Sequence, residues 1–175
     1  YASIVAKNSA RLEFEELRTV DIVDEIGEAA KVVVGRLAEV RFVDVNTGIV
    51  LSTHNVPYGS TLYVSDGDLV EKGKLIAKWD PFNAVIITEA TGKIEFEGVI
   101  ENVTYKVESD EATGLREIII IESKDKTKVP SAHILTEDGD LIRTYNLPVG
   151  GHVIIENGQK VKAGEVIVKI PRAVG

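Results

Sequence analysis

The sequence predicts an all-β chain made of two copies of one β unit, and three observations carry that expectation. Short runs of β-branched and aliphatic residues alternate with Gly, Asn and Asp clusters along most of the 175 residues. Helical periodicity is weak, offered only by residues 24–31, which read as a short helix, and by the first ten residues. The third observation is internal repetition. A shift of 91 positions lays residues 48–79 on 139–170 without a gap, and ten of the 32 columns are identical. Chance would give about two at ordinary residue frequencies.

Taken in order, strands are expected at 31–34, 39–45 and 49–53, with Asn46-Thr47-Gly48 as a hairpin turn between the last two. Asn55-x-Pro57-x-Gly59 follows, then a strand, then Gly67-x-x-Val70-x-x-Gly73-x-x-Ile76. The second half offers strands at 85–88, 93–97, 102–107 and 117–122 and a turn at 137–140. It then repeats the corner with Pro148, Gly150, Gly158 and Gly164. Proline fixes φ and glycine admits left-handed turns, so Pro57, Gly59, Gly67, Gly73 and their four equivalents fold the chain back at set points. The expected geometry is a compact, hammerhead-like corner. The repeat divides the chain into residues 1–88, an N-terminal segment plus the first unit, and residues 89–175, the second unit. The split falls somewhere in 82–92, and strand exchange between units stays open.

Composition bounds the rest. Hydrophobic residues are 44% and charged residues 27%, the mix of a folded soluble chain. No apolar run approaches the roughly 18 residues a membrane helix needs, and no signal peptide opens the chain, so a cytoplasmic protein with no membrane partner is expected. Cysteine is absent, which removes disulfides and thiolate chemistry. Methionine is absent too and Tyr1 comes first, as in a segment of a longer protein. Net charge is −8, from 20 basic and 28 acidic residues, which opposes broad attraction to nucleic-acid phosphates.

No catalytic, metal-binding or cofactor-binding constellation is legible. His54, His133 and His152 lie far apart, without ligand spacing. Asp66-Gly67-Asp68 and Asp138-Gly139-Asp140 resemble calcium-loop starts, but the glycine falls too early and the twelfth position from Asp66 is Ala77. Nucleophile motifs and phosphate-cradling loops are missing. The Gly-x-x-Val-x-x-Gly pattern is shared with biotinyl and lipoyl carriers, which need a lysine at a hairpin tip. Glu111 stands at that position, and Lys124, Lys126 and Lys128 occupy a shifted polar stretch. A carrier and a stand-alone interaction module are the alternative functions. Trp79 and Phe82 are the candidate interface residues, although Trp79 aligns with Ile170 and so reads more strongly as a core or inter-domain packing position.

Several segments then resemble one family. Val56-Pro57-Tyr58-Gly59, residues 77–81, 85–92 and 110–115, and the closing residues 163–172 occur in the order found in the insertion that the RNA polymerase beta-prime subunit of Gram-negative bacteria carries in its trigger loop. The resemblance implies two sandwich-barrel hybrid motifs, of the barrel-sandwich kind, between the two arms of that loop. It implies a non-catalytic part of a DNA-directed RNA polymerase, a nucleotidyltransferase. Expected partners are the trigger loop, jaw, rim and beta subunit, with downstream DNA a further candidate in the intact enzyme. The expected effect is on pausing, nucleotide addition and transcript cleavage. Magnesium and zinc would be used elsewhere in the parent enzyme, and no catalytic residue carries over to this chain.

Overall fold

A computed structural model of the chain describes residues 1–109 and 111–173. It forms two compact units, the first from Tyr1 to Pro81 and the second from Phe82 onward. The first holds nine strands: β1 (Ala2–Val5), β2 (Ala10–Glu15), β3 (Thr19–Val23), β4 (Ala29–Val33), β5 (Glu39–Val43), β6 (Val50–Asn55), β7 (Thr61–Leu62), β8 (Leu69–Val70) and β9 (Leu75–Trp79). They build a five-stranded sheet, β1-β9-β7-β4-β3, and a four-stranded one, β6-β5-β2-β8.

The second unit also holds nine strands: β10 (Asn83–Ile87), β11 (Gly92–Glu97), β12 (Tyr105–Ser109), β13 (Arg116–Ile120), β14 (Ser131–Leu135), β15 (Leu141–Asn146), β16 (His152–Val153), β17 (Lys160–Val161) and β18 (Val166–Pro171). Its sheets run β10-β18-β16-β13-β12 and β15-β14-β11-β17, the same two orders strand for strand. The fold is all-β, and every named strand pair is antiparallel.

The duplication therefore reaches further than residues 48–79. Ala2 faces Trp79 across β1 and β9, and Ala84 faces Ile170 across β10 and β18, so the opening strands repeat at an offset of 82 rather than 91. Longer connections in the second unit absorb the difference: residues 98–104 against 16–18, and 121–130 against 34–38. The N-terminal stretch is the first half of the first unit, not an extension added to it. Each sheet draws its strands from one unit, so no strand is exchanged among the described residues. The boundary lies between Pro81 and Phe82 instead of at 88/89, because β10 pairs along its whole length with β18.

The short helix expected at 24–31 is replaced by a tight turn leading into β4. Asp24 Oδ1 accepts from the amides of Ile26 (3.0 Å) and Glu28 (2.8 Å), Gly27 sits at φ +86°, and β4, buried at Ala30, Val32 and Val33, then pairs with β3 and β7. Sheet partners and β-branched side chains outweigh a weak helical signal. The first ten residues are likewise extended, holding β1 and the start of β2. The strand expected from 102 begins at Tyr105, because the buried Thr104 hydroxyl closes a turn, accepting from the Ile100 amide at 2.8 Å and donating to the Gly98 carbonyl at 2.7 Å.

Each unit has its own core. All ten residues of the second core occupy positions that are also core in the first, among them Ile94 for Leu12, Ile120 for Val33 and Ile167 for Ile76. Volume is redistributed rather than lost. Ala132 and Ile134 replace the larger Val40 and Phe42, while Leu147, Ile155 and Val168 replace the smaller Val56, Val64 and Ala77. Ile76 and Ile167 are both 0% exposed, and burying each contributes about 1.5–3 kcal/mol.

Candidate functional site

The turn residues singled out from the sequence tie the two halves of each unit together. Gly59 and Gly150 both have φ +86°, Gly67 and Gly158 both +87°, Gly73 +94° and Gly164 +97°. Each pair also makes one equivalent backbone bond. The Gly59 and Gly150 amides donate to the Val33 and Ile120 carbonyls, both at 2.8 Å; Gly67 and Gly158 donate to Leu12 and Ile94, also at 2.8 Å; Gly73 and Gly164 donate to Ala6 (2.8 Å) and Thr88 (2.7 Å). Pro57 and Pro148 precede these corners and lend their carbonyls to the amides of Ser60 (3.1 Å) and Gly151 (3.0 Å). A residue with a Cβ would be strained at these φ values, and the amides would lose their aim at the opening strands.

Trp79 is half-buried on β9 and packs against the first core. Phe82, at the start of the second unit, is 67% exposed, and its carbonyl accepts from the Arg172 amide at 2.8 Å. The histidines are not brought together. His54 sets its ring edge against Phe42 in the first unit, at 5.7 Å. In the second unit His133 on β14 meets Glu97 (2.5 Å) and Thr144 (2.8 Å), and His152 on β16, in the other sheet, meets Glu117 at 3.0 Å. Among the described residues no group of three or more His, Asp or Glu side chains is placed to hold a metal ion.

Asp66 and Asp68 serve turns: Asp66 Oδ1 accepts from the Phe14 amide and Asp68 Oδ2 from the Ser65 amide, both at 2.9 Å. The hairpin between β12 and β13 does project a tip. Its described residues, from Glu111 to Leu115, contain no lysine, and Asp110 lies outside the described residues. Lys124, Lys126 and Lys128 fall in the connection from β13 to β14, which join different sheets, so they stand on no hairpin tip. The geometry a biotinyl or lipoyl carrier needs is absent among the described residues.

What the arrangement offers is two separately cored β bodies that assemble no metal-binding cluster among the described residues, and relatives of known sequence say where such bodies occur. The chain is 99% identical over 174 residues to the DNA-directed RNA polymerase subunit beta' of Bacteroides thetaiotaomicron, covering 99% of the chain. It is 63% identical over 174 residues to that of Parabacteroides distasonis and 50% over 171 residues to that of Flavobacterium johnsoniae. The chain matches a segment of the bacterial RNA polymerase beta-prime subunit. It spans about 12% of the length of these relatives. No family model matches it.

Within this chain the shifted ionisable groups hold turns and strand faces. The Thr47 and Asn46 amides hold the Asp44 carboxyl below its usual value, and the Thr127 hydroxyl and amide do the same for Asp125. Lys106, 2.8 Å from Glu108, lowers the Glu108 carboxyl. A hydrogen bond from Lys78 to Tyr63 raises the Lys78 ammonium.

Some paired positions escaped the sequence reading. Asn157 Oδ1 accepts from the Phe96 amide at 2.9 Å, as Asp66 does from Phe14, and Arg41 pairs with Glu15 where His133 pairs with Glu97. The signal for them is present in the sequence at the other offset, where Arg11-Leu12-Glu13-Phe14-Glu15 lies on Lys93-Ile94-Glu95-Phe96-Glu97.

Proposed function

We propose that this chain is a non-catalytic insertion in the trigger loop of the beta-prime subunit of a DNA-directed RNA polymerase, and that it modulates the folding of that loop. Through the loop it would set pausing, nucleotide addition and transcript cleavage. The observation that carries the reading is the near-complete match of the chain to one short part of beta-prime subunits, together with two independently cored β units that assemble no reactive centre among the described residues. On this reading nucleotidyl transfer belongs to the rest of the cytoplasmic enzyme, with its magnesium and zinc. The chain's partners are then the trigger loop, jaw, rim and beta subunit, with downstream DNA nearby.

The mechanism is one of linkage. A folded body tethered to a loop that folds and unfolds in each addition cycle shifts that equilibrium by the free energy separating its docked and undocked positions. A bias of about 1.4 kcal/mol changes the equilibrium tenfold. Units that are already folded spend none of that bias on ordering themselves. The test is to delete residues 1–175 from the intact polymerase and follow elongation on a template with a defined pause site. Altered pause lifetime and addition rate are expected; rates equal to those of the complete enzyme would sink the proposal.

A further inference from the structure

The duplication supplies an internal comparison for one sheet face. On the side of the β1-β9-β7-β4-β3 sheet opposite the clustered core, Val20, Ile22, Ala30, Val32, Thr61 and Lys78 follow one another across the strands, Ala30 and Val32 buried and the other four half-buried. The equivalent face of the second unit carries Lys106, Glu108, Glu117, Ile119, His152 and Lys169. There Lys106 forms an ion pair with Glu108 at 2.8 Å and His152 a hydrogen bond with Glu117 at 3.0 Å. Where the second unit has Lys106, Glu108, Glu117 and His152, the first has aliphatic side chains and a threonine. One architecture with two opposite surface chemistries points to different use.

The first unit's face also opens into a cleft of about 530 Å³. Ile22, Val23, Ile26 and Leu75 give it apolar walls, and Val23 (70%) and Ile26 (78%) are far more exposed than single aliphatic residues need be. Its lining carries both signs of charge. The turn at Asp24, Glu25 and Glu28 supplies the acidic groups and Lys74 and Lys78 the basic ones, with Glu25 acting on Lys78. The Lys78 ammonium is held over the rings of Tyr1 (5.6 Å) and Tyr63 (5.8 Å).

We propose that this cleft docks an extended protein segment of alternating aliphatic side chains, with a lysine or arginine at the end that meets Glu25 and Glu28 and an acidic residue at the end that meets Lys74. Apolar side chains fill the floor, and the terminal charges set direction. The inference stands on the first unit alone and does not require the trigger-loop placement.

The test is a titration of the isotopically labelled 175-residue chain, followed by amide NMR. The probe is a six-residue peptide with valine and isoleucine alternating with serine between an arginine and an aspartate. Shifts are expected at residues 22–28, 61–63 and 74–78, with the second unit as an unresponsive control. Val20→Lys with Ile22→Glu, which copies the Lys106 and Glu108 arrangement, is expected to weaken binding about tenfold or more. Glu25→Gln with Glu28→Gln leaves the apolar walls in place and is expected to weaken it roughly threefold while removing most of its salt dependence. Three results would each overturn the proposal: no shifts at millimolar peptide, equal shifts in both units, or occupation of the face by a second copy of the chain in sedimentation.

Discussion

Gly92 and Ala10 are repeat-equivalent positions, each opening a central strand of its four-stranded sheet, facing Val161 and Val70 respectively. Ala10 is 2% exposed and packs in the first core. A Cβ on Gly92 would instead lie 2.4 Å from the Leu135 carbonyl oxygen and 2.9 Å from Ile134 Cγ2. The ordinary carbon–oxygen approach is about 3.3 Å, so the Gly92→Ala methyl needs β14 to retreat by nearly an ångström. β14 is hydrogen-bonded on both sides, to β11 and β15, and cannot retreat without loosening one ladder. Overpacking of this kind costs about 1–3 kcal/mol, and the lower entropy of alanine in the unfolded chain returns about 0.4–1. The net loss is about 1–2 kcal/mol, or roughly 5–15 °C in the melting temperature of a unit of this size. Calorimetry, with hydrogen exchange to locate the change in the second unit, makes the measurement. The same residue is native in the first unit, so family resemblance between the units would forecast no effect. An unchanged or raised melting temperature would refute the close-approach argument.

Two further predictions rest on the paired geometry and on the carboxylates. Asn157→Asp is expected to leave the second unit close to its original stability, because Asp66 already makes the same bond to a phenylalanine amide; Asn157→Ala, which strands the Phe96 amide, is expected to cost about 1 kcal/mol or more in chemical denaturation. For acid, the folded-state carboxyls of Asp44, Asp125 and Glu108 lie below their ordinary values of 3.8, 3.8 and 4.5. Their contribution to stability is therefore complete above those values and is lost as pH falls through the lower folded ones. Melting followed from pH 7 to pH 3 is expected to stay level and then decline below about pH 4, and Asp44→Asn is expected to make that decline shallower.

The fold class was legible because β signals are local: runs of Val and Ile, and corner glycines whose φ values agree between copies to within a few degrees, Gly59 with Gly150, Gly67 with Gly158 and Gly73 with Gly164. The reach of the repeat was not, since insertions in two connections shift the register between the halves, and a single-offset comparison sees only the part with constant spacing. Glu16 illustrates the loss. It sits at φ +54°, where its counterpart Gly98 sits at +66°, so a left-handed position that glycine would have advertised is hidden behind glutamate. The turn glycines could be named from sequence but not their partners, which are backbone carbonyls in or just after strands more than 25 residues away and leave no trace in side-chain identity. The candidate cleft was invisible for another reason. Val20, Ile22, Ala30 and Thr61 are ordinary strand residues until the second copy shows that the same face is built from charges.

That contrast bears on why a chain of this kind would keep two copies of one unit. The ten shared core positions fix the fold in both, so selection on the core leaves the outward faces free to diverge. Divergence has gone in opposite directions: paired polar and charged side chains on the second unit, and aliphatic walls flanked by acidic and basic groups on the first. A self-compensated face gains little from any neighbour, because each charge would have to be desolvated and its partner left alone. An apolar face gains free energy whenever it is covered. If a body of this design is tethered to a moving loop, docking through one face and solvation of the other give it a preferred position. A preferred position is the differential free energy that the linkage mechanism requires.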